Sequence, residues 1–202
     1  MRDPAATRLI ADIGGTSSRL AVVDAGGDIL QVEVLDNDRF ESLLDILQHY
    51  LDGLPAQLRP NAGVLAVACP VTGDEVVLTN RPWRFSTREY RSRFSFEYLH
   101  VVNDFVAVAL AIPALKAGED YLQIGGGEPR DDAPVGVIGP GTGLGVSVLV
   151  PVGGKWIPLD SEGGHVTLAA ANAEEERIIA RVRRDYPHVS AERLLSGPGL
   201  TV

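Results

Sequence analysis

Two stretches, LIADIGGTSSRLAVVD (residues 9–24) and VIGPGTGLGVSVLV (residues 137–150), decide how this chain folds. Each sets a β-rich apolar run, a turn of glycine and threonine, and a second β-rich run in that order. In the first, RLIADI (8–13) and RLAVVD (19–24) flank Gly14-Gly15-Thr16, and ILQVEVL (29–35) follows a second turn at Gly26-Gly27. In the second, VGVIG (135–139) and GVSVLV (145–150) flank Gly141-Thr142-Gly143, and KWIPL (155–159) supplies a third run. Runs of branched residues bounded by glycine read as strands joined by tight turns. The same unit occurring twice, with a helix pattern after each copy, predicts a repeated α/β architecture.

Between the two copies, Phe40, Leu43, Leu44, Leu47 and Leu51 recur at helical spacing, so a helix is expected over about 40–51, stopped by Gly53 and Pro55. GVLAVACP (63–70) is continuously apolar, as a strand covered on both faces is. EVVLT (75–79) reads as a short strand. Ser86 and Glu89 form a capping box for a helix reaching about residue 93. YLHVV (98–102) is the next strand, and Asn103-Asp104 stands where it passes into the helix FVAVALAI. In the second half, Asn172 caps a helix whose first turn carries Glu174, Glu175 and Glu176, as the helix dipole favours. A short helix follows Ser190. The second repeat stops before its parallel strand, because LLSGPGLTV is too short and too glycine-rich to supply one. The expected domains are residues 1–112 and 113–202, the second incomplete.

Composition narrows the function classes. The 202 residues are 45% hydrophobic and 22% charged, with a formal net charge of −9. An acidic surface repels phosphate backbones, which argues against a nucleic-acid partner. The single cysteine, Cys69, forms neither an internal disulfide nor a cysteine-based metal site and fits a reducing compartment. The start MRDPAATRLI shows no secretory hydrophobic region, so a cytoplasmic location is expected. Residues 133–154 carry no charge and are long enough to span a bilayer, but their glycines and prolines read as strand, turn and strand. No membrane partner is expected.

Four sites carry candidate chemistry. At Asp12-Ile13-Gly14-Gly15-Thr16, a glycine pair lets backbone N–H groups approach a phosphate, and Asp12 suits a water-bridged Mg²⁺. The same residues also describe an ordinary hairpin with a solvated aspartate. Gly141-Thr142-Gly143 lies in a turn that matches neither the P-loop nor the dinucleotide-binding pattern, since no lysine follows it and a strand, not a helix, comes next. Matching turns in two repeats suggest a pair of clamps on one phosphate chain, the alternative being two unrelated hairpins. Asn103-Asp104 reads first as a helix cap, and alternatively as a carboxylate base for a hydroxyl. Glu162-Gly163-Gly164-His165 offers an acceptor and an imidazole suited to sugar hydroxyls, or simply a polar loop. Glu192 reads first as a partner of its helix dipole.

Taken in order, LIADIGGTSSRLAVVD, LAVACPVTGDEVVLTN, VVNDFVAVALAIP, VIGPGTGLGVSVLV, EGGHVTLA and HVSAERLLSGPGL resemble the bacterial ATP-dependent glucokinase family of the hexokinase/actin-like ATPase superfamily. The resemblance implies an actin-like ATPase (ribonuclease H-like) fold of two repeated βββαβα domains. It implies transfer of the γ-phosphate of ATP to the 6-hydroxyl of glucose, with ATP and Mg²⁺ as cofactors and a homodimeric assembly. By matching motifs, Asp12, Gly14, Gly15 and Thr16 are the first phosphate motif, and Gly141, Thr142 and Gly143 the second. Asp104 is the catalytic base, and Asn103, Glu162, His165 and Glu192 join it in binding the sugar. A cysteine-rich zinc motif and an N-terminal helix-turn-helix are not part of this sequence, which disfavours a repressor role. Family members continue well past the position of Val202, so the expectation is a fragment with little turnover, a poorly stable second domain and, as the alternative, glucose binding alone.

Overall fold

The computed structural model describes residues 7–128, 130 and 132–201. The chain divides into two compact units, Met1–Ala107 and Val108–Val202, and each is treated by itself.

The first unit opens with β1 (Arg8–Ile13), β2 (Ser17–Val23) and β3 (Ile29–Asp36), an antiparallel meander. A 3₁₀ turn over Asn37–Arg39 leads to α1 (Leu43–Gly53). The helix begins later than the apolar spacing predicts, because Ser42 is its cap and accepts the Asp45 amide, while Phe40 closes the 3₁₀ turn. Then come β4 (Ala62–Val67), β5 (Glu75–Val77), β6 (Arg84–Ser86), α2 (Thr87–Arg93), β7 (Tyr98–Asn103) and α3 (Asp104–Ala111), a helix that begins in the first unit and ends in the second. The pairing order β3-β2-β1-β4-β7 makes a mixed sheet in which β1, β4 and β7 run parallel. β6 is an addition to the expected pattern: three residues long, it pairs with β5 as a separate hairpin.

Alternation explains the packing. Leu9, Ala11 and Ile13 of β1 turn inward together with Leu20, Val22, Leu65 and Val67, and α1 lays Leu43, Ile46, Leu47 and Tyr50 into the same core. Phe85, Tyr90 and Phe96 close one end, with the Phe85 and Tyr90 rings stacked 4.7 Å apart.

The second unit repeats the meander. β8 (Val135–Pro140), β9 (Leu144–Val152) and β10 (Lys155–Leu159) pair in the order β10-β9-β8. Residues 133–154 thus fold largely as a hairpin, and among the described residues no helix is long and apolar enough to cross a membrane. A 3₁₀ turn over Gly163–His165, α4 (Ala173–Val182), α5 (Ala191–Leu194) and a final 3₁₀ turn over Pro198–Thr201 complete the unit. Asn172 caps α4 by accepting the Glu174 and Glu175 amides. The helical core is small, made of Ile179, Val182 and Val189 with Leu168, Tyr186 and Leu194 against it.

Candidate active site

In the first unit the register aligns Ile13 with Val67 and Val67 with Asn103, so β1, β4 and β7 end level. The Asp12–Thr16 turn and the Asn103-Asp104 junction therefore leave the same carboxyl edge of the parallel strands, the edge at which open α/β sheets bind ligands. The β1–β2 turn is tight: the Gly14 amide donates to the Ser17 carbonyl at 3.0 Å, and a Cβ on Gly14 would stand 3.0 Å from that oxygen. Asn37, buried in the core, donates its side-chain amide to the Gly14 carbonyl at 2.9 Å, and Arg81 Nε donates to the Gly15 carbonyl at 2.6 Å. Asp12 is 57% exposed, with Arg19 3.6 Å away.

Asp104 opens α3, and its carboxylate accepts the Phe105 amide at 2.9 Å. Burial pushes its pKa up from the usual aspartate value, and the nearby charge of Asp12 pushes it further. Hydrogen bonds from the backbone and from Asn103 work against that rise. A carboxylate so placed holds a proton more readily than a solvated one, which suits a general base. Asn103 is fixed by donating Nδ2 to the Cys69 carbonyl at 3.3 Å and accepting the Phe105 amide through Oδ1. Cys69 itself is buried, and burial and the Asp104 charge both raise its pKa, which keeps the thiol protonated and inert.

The second unit brings Glu162, His165 and Glu192 together. His165 Nε2 lies 3.5 Å from Glu162 Oε2, and its Nδ1 lies 3.9 Å from Glu192 Oε1. These contacts are too exposed to hold the loop in place. Close backbone packing does that: a Cβ on Gly164 would run into the Leu144 carbonyl oxygen, and one on Gly163 would meet Val146 at 2.9 Å. Glu192 does more than face its own helix dipole. Its Oε2 accepts the Leu144 amide at 2.9 Å, directly after Gly141-Thr142-Gly143. That turn is closed by the Gly141 amide donating to the Gly143 carbonyl at 2.8 Å, and Gly197 donates to the Gly141 carbonyl at 2.8 Å. Gly197, Asn37 and Arg81 escape a reading of the sequence, because each reaches its partner over dozens of residues with no local pattern to mark it.

The Glucokinase family matches residues 9–202 of this chain. The chain belongs to the glucokinase family. The glucokinase of Yersinia pestis (strain Pestoides F) is 47% identical over 193 residues, which cover 95% of this chain and 59% of the relative. The glucokinase of Yersinia pseudotuberculosis serotype O:1b (strain IP 31758) matches equally. Among solved structures, a glucokinase from an Antarctic psychrotroph superposes with a TM-score of 0.83 at 38% identity, over 96% of this chain and 62% of that one. The glucokinase from Balamuthia mandrillaris in complex with glucose gives a TM-score of 0.71 at 23% identity, over 96% and 60% of the two chains, a likeness of fold alone. The glucokinase-family chain thus has the actin-like ATPase fold that its motifs imply. It spans 59% of the length of the curated relatives it matches.

Proposed function

We propose that this glucokinase-family protein transfers the γ-phosphate of ATP to the 6-hydroxyl of glucose, the first step of glycolysis. The observation that carries the reading is the Asp104 carboxylate, half-buried, raised in pKa and fixed beside Asn103 at the carboxyl edge of the parallel strands. In this reading Asp104 accepts the proton of the 6-hydroxyl as that oxygen bonds to the γ-phosphorus. The bond from that phosphorus to the β–γ bridging oxygen breaks, and ADP leaves with the electron pair. Phosphoryl transfer asks the protein mainly for positioning and charge neutralisation. The amides of Gly15 and Thr16, which donate to no protein acceptor among the described residues, suit phosphate oxygens, and Gly14 keeps their turn tight. Gly141, Thr142 and Gly143 form the second phosphate turn. Asn103, Glu162, His165 and Glu192 bind sugar hydroxyls, where each mispaired group costs about 1–3 kcal/mol.

Among the described residues no group of three or more acidic, histidine or cysteine side chains could cage a metal. The exposed Asp12 carboxylate instead fits Mg²⁺ held through water and phosphate oxygens. Mg²⁺ bound there would neutralise charge on the transferred phosphate. The family resemblance supports a cytoplasmic homodimer whose partners are glucose and a second copy of the chain.

The test is a coupled assay of ADP formation with glucose, ATP and Mg²⁺, run on the wild type and Asp104→Asn. The variant is expected to lose about 10²–10⁴-fold in kcat, the usual worth of a general base. Its glucose affinity by calorimetry is expected to stay within a few-fold. A near-normal kcat would show that Asp104 is not the base. A wild type that binds glucose but forms no ADP would replace the kinase reading with the alternative, glucose binding alone.

A further inference from the structure

Three successive carbonyls in the first glycine turn accept hydrogen bonds, two of them from Asn37 and one from Arg81. Asn37 Nδ2 donates to the Gly14 carbonyl at 2.9 Å, Arg81 Nε to the Gly15 carbonyl at 2.6 Å, and the Asn37 amide to the Thr16 carbonyl at 2.9 Å. The Gly14 amide is used within the turn, while the amides of Gly15 and Thr16 donate to no protein acceptor among the described residues. Successive unbonded backbone N–H groups in a turn can form a concavity that favours an anion.

Both donors are held in turn. Ser18 Oγ donates to Asn37 Oδ1 at 2.7 Å, which fixes which way the Asn37 amide points. Asn37 is wholly buried, so a misoriented amide there would leave polar atoms unpaired. The Arg81 guanidinium pairs with Asp38, lies 5.0 Å from the centroid of the buried Trp83 ring, and is only 15% exposed. A planar guanidinium can serve the Gly15 carbonyl, the Asp38 carboxylate and the Trp83 face at once, and a lysine ammonium cannot.

We infer that Asn37 and Arg81 are positioning residues that clamp the carbonyl side of Gly14–Thr16 and so present the Gly15 and Thr16 amides to a phosphate chain. The inference rests on the phosphate role given to that turn above and supplies the residues that impose it. Neither side chain touches the phosphate; each acts through the backbone it holds.

Solution NMR on the whole chain tests it, with tripolyphosphate as the probe and Arg81→Ala and Arg81→Lys as variants. In the wild type, tripolyphosphate is expected to shift the Gly15 and Thr16 amide resonances. In Arg81→Ala its affinity falls about tenfold, and exchange of the Gly14 and Asn37 amides, both bonded across the turn, speeds up about tenfold, as losing a charged hydrogen-bond donor implies. The Leu65 amide, deep in β4, should be unchanged, which separates a loosened turn from a loosened fold. Arg81→Lys keeps the charge but recovers affinity only in part. If Arg81→Ala does not fold, Arg81→Lys decides by the same two measurements, each weakened at least threefold. Equal affinity in wild type and variant, unchanged exchange, or no shift of Gly15 and Thr16 in the wild type overturns the inference. Tripolyphosphate binding that depends on Arg81 in a protein forming no ADP would sink the kinase reading and leave the clamp standing.

Discussion

In the proposed reading, Asp104 sets function against stability within one side chain. Burial favours its neutral acid, so the folded protein holds that proton more tightly than the unfolded chain does. The stability this preference confers is complete below the ordinary aspartate value of 3.8 and is lost as pH rises through the higher folded value. Asparagine has no charge to bury, so Asp104→Asn is expected to melt at a higher temperature than the wild type at pH 7. The gap should narrow as pH falls towards 3.8. Thermal melts of both proteins across that range check this, and a gap independent of pH contradicts it. Asp104 was legible as a candidate because it sits next to Asn103 at a strand–helix junction. Glu162 and His165 were legible for a similar reason, being close in sequence on one glycine loop. The bond from the Leu144 amide to Glu192 was not, since it joins residues 48 positions apart.

At the scale of elements, the apolar period placed α1 correctly along its length but not at its start. Phe40 fits the helical spacing yet lies ahead of Ser42, whose hydroxyl accepts the Asp45 amide at 3.3 Å and donates to the Asp45 carboxylate at 2.6 Å. Ser42→Ala is expected to cost about 1 kcal/mol, the usual worth of a capping hydroxyl, measured by urea unfolding of the first unit. A change under a few tenths would mean that the core face alone fixes the helix start. Periodicity could not reveal β6 for a different reason. Three residues hold barely one alternation, and Arg84–Ser86 is a strand only because Phe85 pairs opposite Val76 in β5. Strands of five residues or more, such as β1, β4 and β7, declared themselves because alternation or a continuous apolar run extends through them.

At the scale of the whole molecule, the two repeats are unequal in what they bury. In the first unit a single cluster runs from β1 through α1 to Phe96 and Leu99. In the second, Leu149 is fully buried, but Ile138 is largely exposed, Ile157 and Leu159 are nearly half exposed, and the helical core rests on three residues, Ile179, Val182 and Val189. Native-state hydrogen exchange should therefore show the amides of β1 and β4 opening only with the first unit as a whole. Those of β8 and β9 should open at a free energy lower by about 2 kcal/mol or more, the worth of burying one large aliphatic side chain. Equal opening energies would contradict this ranking. The repeat itself was legible because the glycine turns recur with the same neighbours. A weaker second unit was also an expectation of the sequence; which of its side chains stay exposed was not legible, since that depends on which elements cover each sheet.

β3 carries one further consequence. It is the outer strand of the five-stranded sheet and shows Ile29, Val32 and Val34 to solvent, the composition of a strand that recruits others. Its pairing with β2 slips between Leu20 and Val22, Gln31 takes a left-handed φ of 52°, and the Tyr50 hydroxyl donates to the Gln31 carbonyl at 2.8 Å. A sheet from another molecule would meet a kinked rim with one carbonyl already taken, where a flat rim would accept it along its whole length. The irregularity that interrupts the ladder is thus a guard against aggregation, placed where the apolar surface would otherwise invite it.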